Sequence, residues 1–349
     1  MSSRNSRFTH GLAGPEDREQ LLALYEAVEF GGPLSILYAR RPDPLASLAR
    51  EGDSVIFPVV REGAEGPIVG GGCCVIREAW LGGALRRVGY LTGLKILPAY
   101  RRRLPGIGAM YRYLYEQCRG QVDYFYTTIL TDNTEARRLL EKRRPQMPAY
   151  RYEGDYTVYS FKTGGRRNPA VNAVGPEAWE AFSREHGPRF NLSLVREPAA
   201  DPGALTRWLL TDAGGKALAG CLLWNQQAFK QHIPVAYGGP YRLLRHLPLG
   251  WAGYPSLPPL GEPMNFSCVT ALYAAGDDPV AAAALLKGVA AEARAYRFLA
   301  LGLHGEHPLS PALTGIRSIR YQSRLYSVAW EPEALSPDPR PFQLEVALL

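Results

Sequence analysis

Leu94-Lys95-Ile96-Leu97-Pro98-Ala99-Tyr100-Arg101-Arg102-Arg103-Leu104-Pro105-Gly106-Ile107-Gly108 runs from the end of an apolar strand, through a basic loop containing glycine, into the start of a helix. Successive backbone N–H groups in such a loop, together with the positive end of the helix dipole, form a site for an anion. Gly106 and Gly108 carry no Cβ, so a pyrophosphate can approach the main chain. Arg103 and its neighbours add charge-assisted hydrogen bonds. The dinucleotide fingerprint is not met, because Tyr111 stands where G-x-G-x-x-G needs its third glycine, and no Walker Lys-Ser/Thr follows. A bare G-x-G at a helix start is also what an ordinary glycine turn looks like.

Outward from this loop, the first half reads as alternating strands and helices. Residues 7–12 read as a short strand. Pro15-Glu16-Asp17 opens a helix, with proline in the first turn and acids against the dipole. Leu21, Leu22, Tyr25 and Val28 continue it at helical spacing. A second helix is expected at 44–50. Val- and Ile-rich strands are expected at 54–61 and 68–76, and another at 87–97. Residues 107–118 and 134–142 read as helices, 124–130 as a strand, and 150–161 as a strand or hairpin. The polar, glycine-rich stretch 163–169 reads as a linker.

The second half repeats the rhythm. Strands are expected at 207–211 and 218–224, paired across Asp212-Ala213-Gly214-Gly215-Lys216. Further strands fall at 267–274, 298–303 and 317–330, and an Ala-rich helix at 279–296. Gly93 to Tyr124 spans 31 positions, as does Ser267 to Phe298. That coincidence points to a tandem duplication, with two unrelated α/β domains as the alternative.

The 349 residues fit two domains, and 46% hydrophobic content allows a packed core. The formal net charge is +7, and all of the excess lies in residues 1–167, since the remainder holds 15 basic and 15 acidic residues. A basic first half points to an anionic partner. Cys73, Cys74, Cys118, Cys221 and Cys268 form no C-x-x-C pair, so free thiols in a reducing cytoplasm are expected. No apolar run reaches membrane-spanning length and no signal peptide is apparent, so no membrane partner is expected.

Arg103-Leu104-Pro105-Gly106-Ile107-Gly108 resembles the R/Q-x-x-G-x-G/A signature of the GNAT superfamily, the acyl-CoA-dependent N-acyltransferases. Upstream, Leu94-x-Ile96-x-Pro98-x-Tyr100-Arg101 looks like that family's strand end. Asn133-Thr134-Glu135-Ala136-x-x-Leu139 is similar to its N-x-x-A-x-x-L segment, which meets the pantetheine arm. The resemblance covers most of residues 7–161. It implies an α/β fold of two tandem GNAT-like domains, 1–163 and 164–349, each a central mixed β-sheet flanked by helices. It implies acetyl-CoA as acyl donor, held by Ile96, Arg101, Arg103, Leu104, Pro105, Gly106, Ile107, Gly108, Ala109 and Asn133. The Ile96 backbone amide would polarise the thioester carbonyl. Two departures stand out. Two extra residues separate Tyr100-Arg101 from the Arg103 motif. Leu140 also occupies the place where the family usually has a tyrosine that protonates the leaving thiolate.

Attack of an amine on a thioester needs oxyanion donors, a route for the ammonium proton, and both reactants held together. For proton transfer the central strands offer Glu78, Tyr90, Thr92, Tyr126 and Thr128. Tyr126 is preferred as the acid because its strand is expected to flank the cofactor arm; Tyr150 and Tyr152 are alternatives. The second half reads Gly276-Asp277-Asp278-Pro279 where the phosphate loop would stand. Asp278 as N-cap, Pro279 without an N–H, and two repelling carboxylates argue against an anion there. Residues 250–262, around Trp251 and Tyr254, read as a long loop. His304-Gly305-Glu306-His307-Pro308 does not follow the helical H-E-x-x-H pattern, so no metal is expected. One short basic run makes nucleic acid an unfavoured partner. The acceptor is expected to be a small-molecule or peptide amine. Transfer from charged tRNA and a non-catalytic CoA-binding sensor are the competing readings.

Overall fold

The computed structural model describes residues 7–27, 34–101, 107–142, 147–331 and 338–349. The phosphate-loop residues Arg103, Leu104, Pro105 and Gly106 lie outside the described residues, as does Val28. The first half contributes β1 (Phe8–Leu12), α1 (Arg18–Glu26), β2 (Leu34–Ala39), α2 (Pro44–Ala49), β3 (Ser54–Ile56), β4 (Pro58–Glu62), β5 (Ile68–Leu81), β6 (Ala84–Ile96), α3 (Ile107–Cys118), β7 (Tyr124–Leu130), α4 (Thr134–Leu140) and β8 (Ala149–Lys162). The second contributes β9 (Val171–Val174), α5 (Pro176–His186), β10 (Leu205–Thr211), β11 (Ala217–Trp224), β12 (Gln231–Tyr237), α6 (Tyr241–Leu244), β13 (Phe266–Ala274), α7 (Pro279–Glu292), β14 (Phe298–His304) and β15 (Ser318–Ala329).

Thirteen strands form one mixed sheet in the order β1-β4-β5-β6-β7-β15-β8-β14-β13-β11-β10-β9, with β3 pairing β5. The order reads alike from both ends. β6 and β7 are parallel, as are β13 and β14, whereas the other ladders are antiparallel. The last strand of each half crosses over: β15 pairs β7 of the first half, and β8 pairs β14 of the second. β8 and β15 then pair with each other through the centre, from Ser318 against Phe161 to Ala329 against Ala149. A separate ribbon of β2 and β12 joins the halves again, with Tyr38 opposite His232.

Helices cover both faces. α3 lays Tyr111, Leu114 and Cys118 on Cys74, Leu91, Phe125 and Ile129, and α7 lays Leu285, Leu286 and Val289 on Val269, Leu299 and Leu301. The opposite face carries α1 and α2 through Leu21, Leu24 and Leu48, and α5 through Trp179 and Phe182. Cys73 joins the α1 cluster and Cys74 the α3 cluster, as alternation along a strand requires. All five cysteines are buried free thiols.

Most expected elements are present, with shifted ends. The helix expected to reach 296 stops at Glu292, where Ala293 leaves helical backbone, and the one expected to reach 142 stops at Leu140. The stretch 54–61 divides into β3 and β4 around Phe57. β2, β9, α5, β12 and α6 have no counterpart in the periodicity of the sequence. The equal 31-residue spacing is also corrected. β6 and β13 each carry a bulge, and the bulges set Gly93 level with Ala271, not with Ser267. Ala271 lies only 27 positions before Phe298. The first half is longer there because ten residues of sequence separate β6 from α3 and only four separate β13 from α7.

Candidate functional site

The parallel ladder between β6 and β7 holds for three pairs and ends at Tyr90 opposite Tyr126. Beyond that point β6 continues to Ile96 and β7 to Leu130, so the two strands part. Side chains bridge the parting. Thr127 Oγ1 donates to the Leu91 carbonyl at 2.7 Å, and the Tyr90 and Thr128 hydroxyls lie 2.9 Å apart. The bulge falls here too. Cys73 faces Thr92 and Gly71 faces Lys95, so β6 carries one extra residue. Gly93 takes it up at φ 66°, in the left-handed region. A Cβ on Gly93 would lie 2.6 Å from the Tyr25 hydroxyl.

After the bulge, the register fixes which way the amides point. Leu97 N–H donates to the Val69 carbonyl, so Leu97 and Val69 form a hydrogen-bonded antiparallel pair. The neighbouring pair, Ile96 with Gly70, is then non-hydrogen-bonded. Ile96 therefore turns its N–H away from β5, towards the side where β7 has left. Lys95 points to the α1 face and donates to the Tyr25 carbonyl at 2.7 Å. Burial pulls its ammonium down to about 8.

β6 leads through a tight turn at Pro98–Tyr100 to exposed Arg101. α3 starts at Ile107, with Gly108 and Ala109 in its first turn, and Ile107 joins the same apolar cluster as Leu94 and Tyr100. Asn133 is the N-cap of α4, its Oδ1 accepting from Ala136 N–H at 3.1 Å. Leu140 is buried against the α3 cluster.

The candidate proton donors separate by face. Tyr126 is fully buried, its ring centroid 5.1 Å from that of Tyr90, and its hydroxyl accepts from Arg77 Nη2. Burial raises its pKa, and the Arg77 cation opposes the rise. Tyr90 is raised by burial too. Tyr150 instead meets the Tyr111 hydroxyl at 2.9 Å on the α3 side, and Tyr152 reaches Asp155 at 2.6 Å on the surface. Glu78 is exposed beside Arg196. Tyr90, Tyr126, Thr92 and Thr128 are thus gathered at the parting, while Glu78, Tyr150 and Tyr152 lie away from it.

The second half has the same parting with different contents. β13 and β14 pair from Phe266–Phe298 to Val269–Leu301, then separate. Ala271 sits in the bulge at φ 49°. Its amide donates to Glu345 Oε2 at 2.8 Å, and Gln343 Nε2 donates to Glu345 Oε1 at 3.1 Å. The turn Val346–Leu348 packs beside both strands. The C-terminal segment therefore fills this gap. Asp278 caps α7 through Val280 N–H at 2.8 Å, and Pro279 is its first residue. Burial lifts the Glu345 carboxyl to about 7. Nothing in the sequence reading singled out residues 342–349; an isolated glutamate near a chain end carries no periodic signal. His304 and His307 are engaged with the Glu153 carbonyl and with Gln343 Oε1. Among the described residues, no group of three or more metal-ligating side chains could hold an ion.

A buried ion cluster ties the ribbon to the α1 face. Glu51 pairs with Arg40 at 2.9 Å and with Lys230 at 2.8 Å, all three almost fully enclosed. Arg40 also reaches the Tyr38 hydroxyl and Ser47 Oγ, and Lys230 the carbonyls of Ala347 and Leu349. The two halves and the C-terminal segment meet at this cluster.

No protein-family model and no curated protein sequence matches the chain. Solved structures do. A GCN5-related N-acetyltransferase from Anabaena variabilis superposes with a TM-score of 0.51 at 15% identity, covering 92% of this chain and 72% of the other. An Enterococcus faecalis protein of unknown function, described as a probable N-acyltransferase, gives 0.50 at 10% identity over the same shares. Saccharomyces cerevisiae N-myristoyltransferase with bound myristoyl-CoA gives 0.58 at 8% identity, covering 98% of this chain and 88% of that one. The large mixed sheet flanked by helices is thus the fold shared by GCN5-related N-acetyltransferases and N-myristoyltransferases.

Proposed function

We propose that this chain is an N-acyltransferase that moves an acetyl or short acyl group from CoA to an amine by direct attack in a ternary complex. The observation that carries the reading is the parting of β6 from β7 beside the Gly93 bulge, with the Ile96 amide turned into the gap. A thioester carbonyl placed against that amide would have its developing oxyanion stabilised by a donor fixed in the strand. The pyrophosphate would lie on Arg101, Arg103, Leu104, Pro105, Gly106, Ile107, Gly108 and Ala109, where the α3 dipole favours negative charge. Asn133 would border the pantetheine arm.

In the reaction the amine nitrogen bonds to the thioester carbon, the C–S bond breaks, and the thiolate takes a proton. Tyr126 is the donor assigned to that proton, with Arg77 stabilising the phenolate left behind. The amine's own proton leaves through water. The acceptor is a small-molecule or peptide amine on the face covered by α1 and the β2–β12 ribbon. The whole chain is read as two repeats, 1–163 and 164–349, of which the second carries no CoA because Asp278, Pro279 and the C-terminal segment fill its equivalent place. A cytoplasmic location fits five free thiols.

Leu140 favours one competing reading, a CoA-binding sensor without catalysis, since the family's usual acid is replaced by a core residue. Calorimetric titration with acetyl-CoA and CoA, repeated with Gly108→Glu, tests the site. One CoA per chain, lost in the variant, supports it; no binding by folded protein rejects it. Acyl transfer to an amine panel then separates enzyme from sensor, and acetyl-CoA against myristoyl-CoA reads the chain length.

A further inference from the structure

We propose that residues 241–254 are a docking loop for an anionic lipid surface. Leu243 is 76% exposed, Leu247 56% and Trp251 92%. These are large apolar side chains held in water with none of the described residues over them. Arg242, Arg245 and His246 are exposed beside them. No aspartate or glutamate occurs anywhere from residue 213 to 261. A loop meant to meet a basic or neutral protein surface gains nothing from that exclusion. An anionic bilayer rewards it, because arginines settle among the headgroups while tryptophan and leucine enter the acyl boundary.

The loop is also built to be presented. α6 and a run of consecutive turns order it, including Leu247 N–H to Leu244 carbonyl and Trp251 N–H to Pro248 carbonyl. Lys162 Nζ donates to the Gly250 carbonyl at 3.1 Å, and Arg317 donates to the Ala252 carbonyl. Both anchors are themselves cationic, so they add to the charge beneath the tryptophan. They stand at the end of β8 and the start of β15. β7 ends opposite β15 at Leu130–Ser323, running towards that same edge of the sheet. The loop thus rims the edge towards which the β6–β7 gap opens. Among the described residues no helix is long and apolar enough to cross a membrane, so attachment is to the surface. The expectation of no membrane partner rested on the lack of a spanning segment and of a signal peptide, and a surface contact needs neither.

The test is co-sedimentation of the whole chain with vesicles of phosphatidylcholine mixed with phosphatidylglycerol, and with vesicles of phosphatidylcholine alone. Tryptophan fluorescence is followed in the same samples. Binding to the mixed vesicles, weakened by salt and accompanied by a blue shift absent in Trp251→Ala, is the expected result. Arg242→Ala and Arg245→Ala should each lower partitioning about fivefold. All these positions are exposed, and an unchanged melting temperature checks that each variant folds. Two vesicle results overturn the proposal: no binding above that of phosphatidylcholine alone, or binding that Trp251→Ala leaves intact. A concentration-dependent dimer abolished by Trp251→Asp, without vesicle binding, would also overturn it by assigning the patch to a second copy.

Discussion

Gly93 and Ala271 occupy the same position in the two halves of the sheet, each in a bulge against its antiparallel neighbour just past the end of the parallel ladder, and each with a left-handed backbone. The sequence gives glycine to one and alanine to the other, and the surroundings explain the difference. Around Gly93 an added Cβ would meet the Tyr25 hydroxyl at 2.6 Å. Around Ala271 the methyl packs with Trp179 and Phe182. Gly93→Ala should therefore destabilise by about 1–3 kcal/mol, from backbone strain plus overpacking. Ala271→Gly should stay within about 1 kcal/mol of the parent, because relief of strain offsets the lost methyl. Urea denaturation of the pair checks both, and the opposite ranking would show that the bulges are not equivalent.

Glu345 gives the fold an unusual dependence on pH. Burial raises its carboxyl to about 7 from an ordinary value of 4.5. Between those values the folded state binds the extra proton and the unfolded state does not. Stability from this group is therefore fully present at low pH and falls as pH rises through 7. Glu345→Gln removes the titrating group and keeps one accepting oxygen. From pH 5 to pH 8 the difference between variant and parent should move in the variant's favour by about 1–3 kcal/mol. Denaturation midpoints at the two pH values decide the matter; equal differences at both would place the ordinary carboxylate there.

Glu51 runs the other way. It is held between the Arg40 and Lys230 cations, which outweigh burial and keep its carboxyl below the usual range. The stability it adds is complete above its unfolded value and is lost as pH falls through the lower folded one. Glu51→Gln leaves two buried cations sharing a neutral amide, and should cost about 3–5 kcal/mol at neutral pH. The acid limb of the stability curve should flatten in the same variant. Replacing Arg40, Glu51 and Lys230 together by apolar residues should recover much of the loss, since the cluster's cost of desolvation goes with it.

These sites differ in how far the sequence announces them. Strand alternation shows that Cys73 and Cys74 face opposite ways, and Asp278-Pro279 announces a helix start that repels anions. Periodicity says which side of a strand is buried, but not which strand lies next to it. The exchange of β8 and β15 between the halves is therefore silent in the pattern. So is the bulge at Ala271, because alanine does not advertise a left-handed backbone as glycine does. The direction of the Ile96 amide follows from register, which only pairing with β5 fixes. The short strands of the β2–β12 ribbon are half-buried and lie beside Gly-Gly-Pro, where turn signals dominate.

Tyr126 is the sharpest test of the chemistry. The parallel ladder ends at its pair with Tyr90, and Arg77 donates to its hydroxyl, so loss of its proton would leave a phenolate beside a cation. Tyr126→Phe keeps the ring against Tyr90 and removes only the oxygen. If that oxygen supplies the proton to the leaving thiolate, kcat should fall by about 10²-fold or more while acetyl-CoA affinity stays the same. A thioester with a more acidic leaving thiol should recover much of the rate, because its thiolate departs without a proton. A merely structural role would lower stability and leave that recovery out. Unchanged turnover in Tyr126→Phe would remove the assignment and pass it to Tyr90, whose hydroxyl shares the mouth of the gap with Thr128.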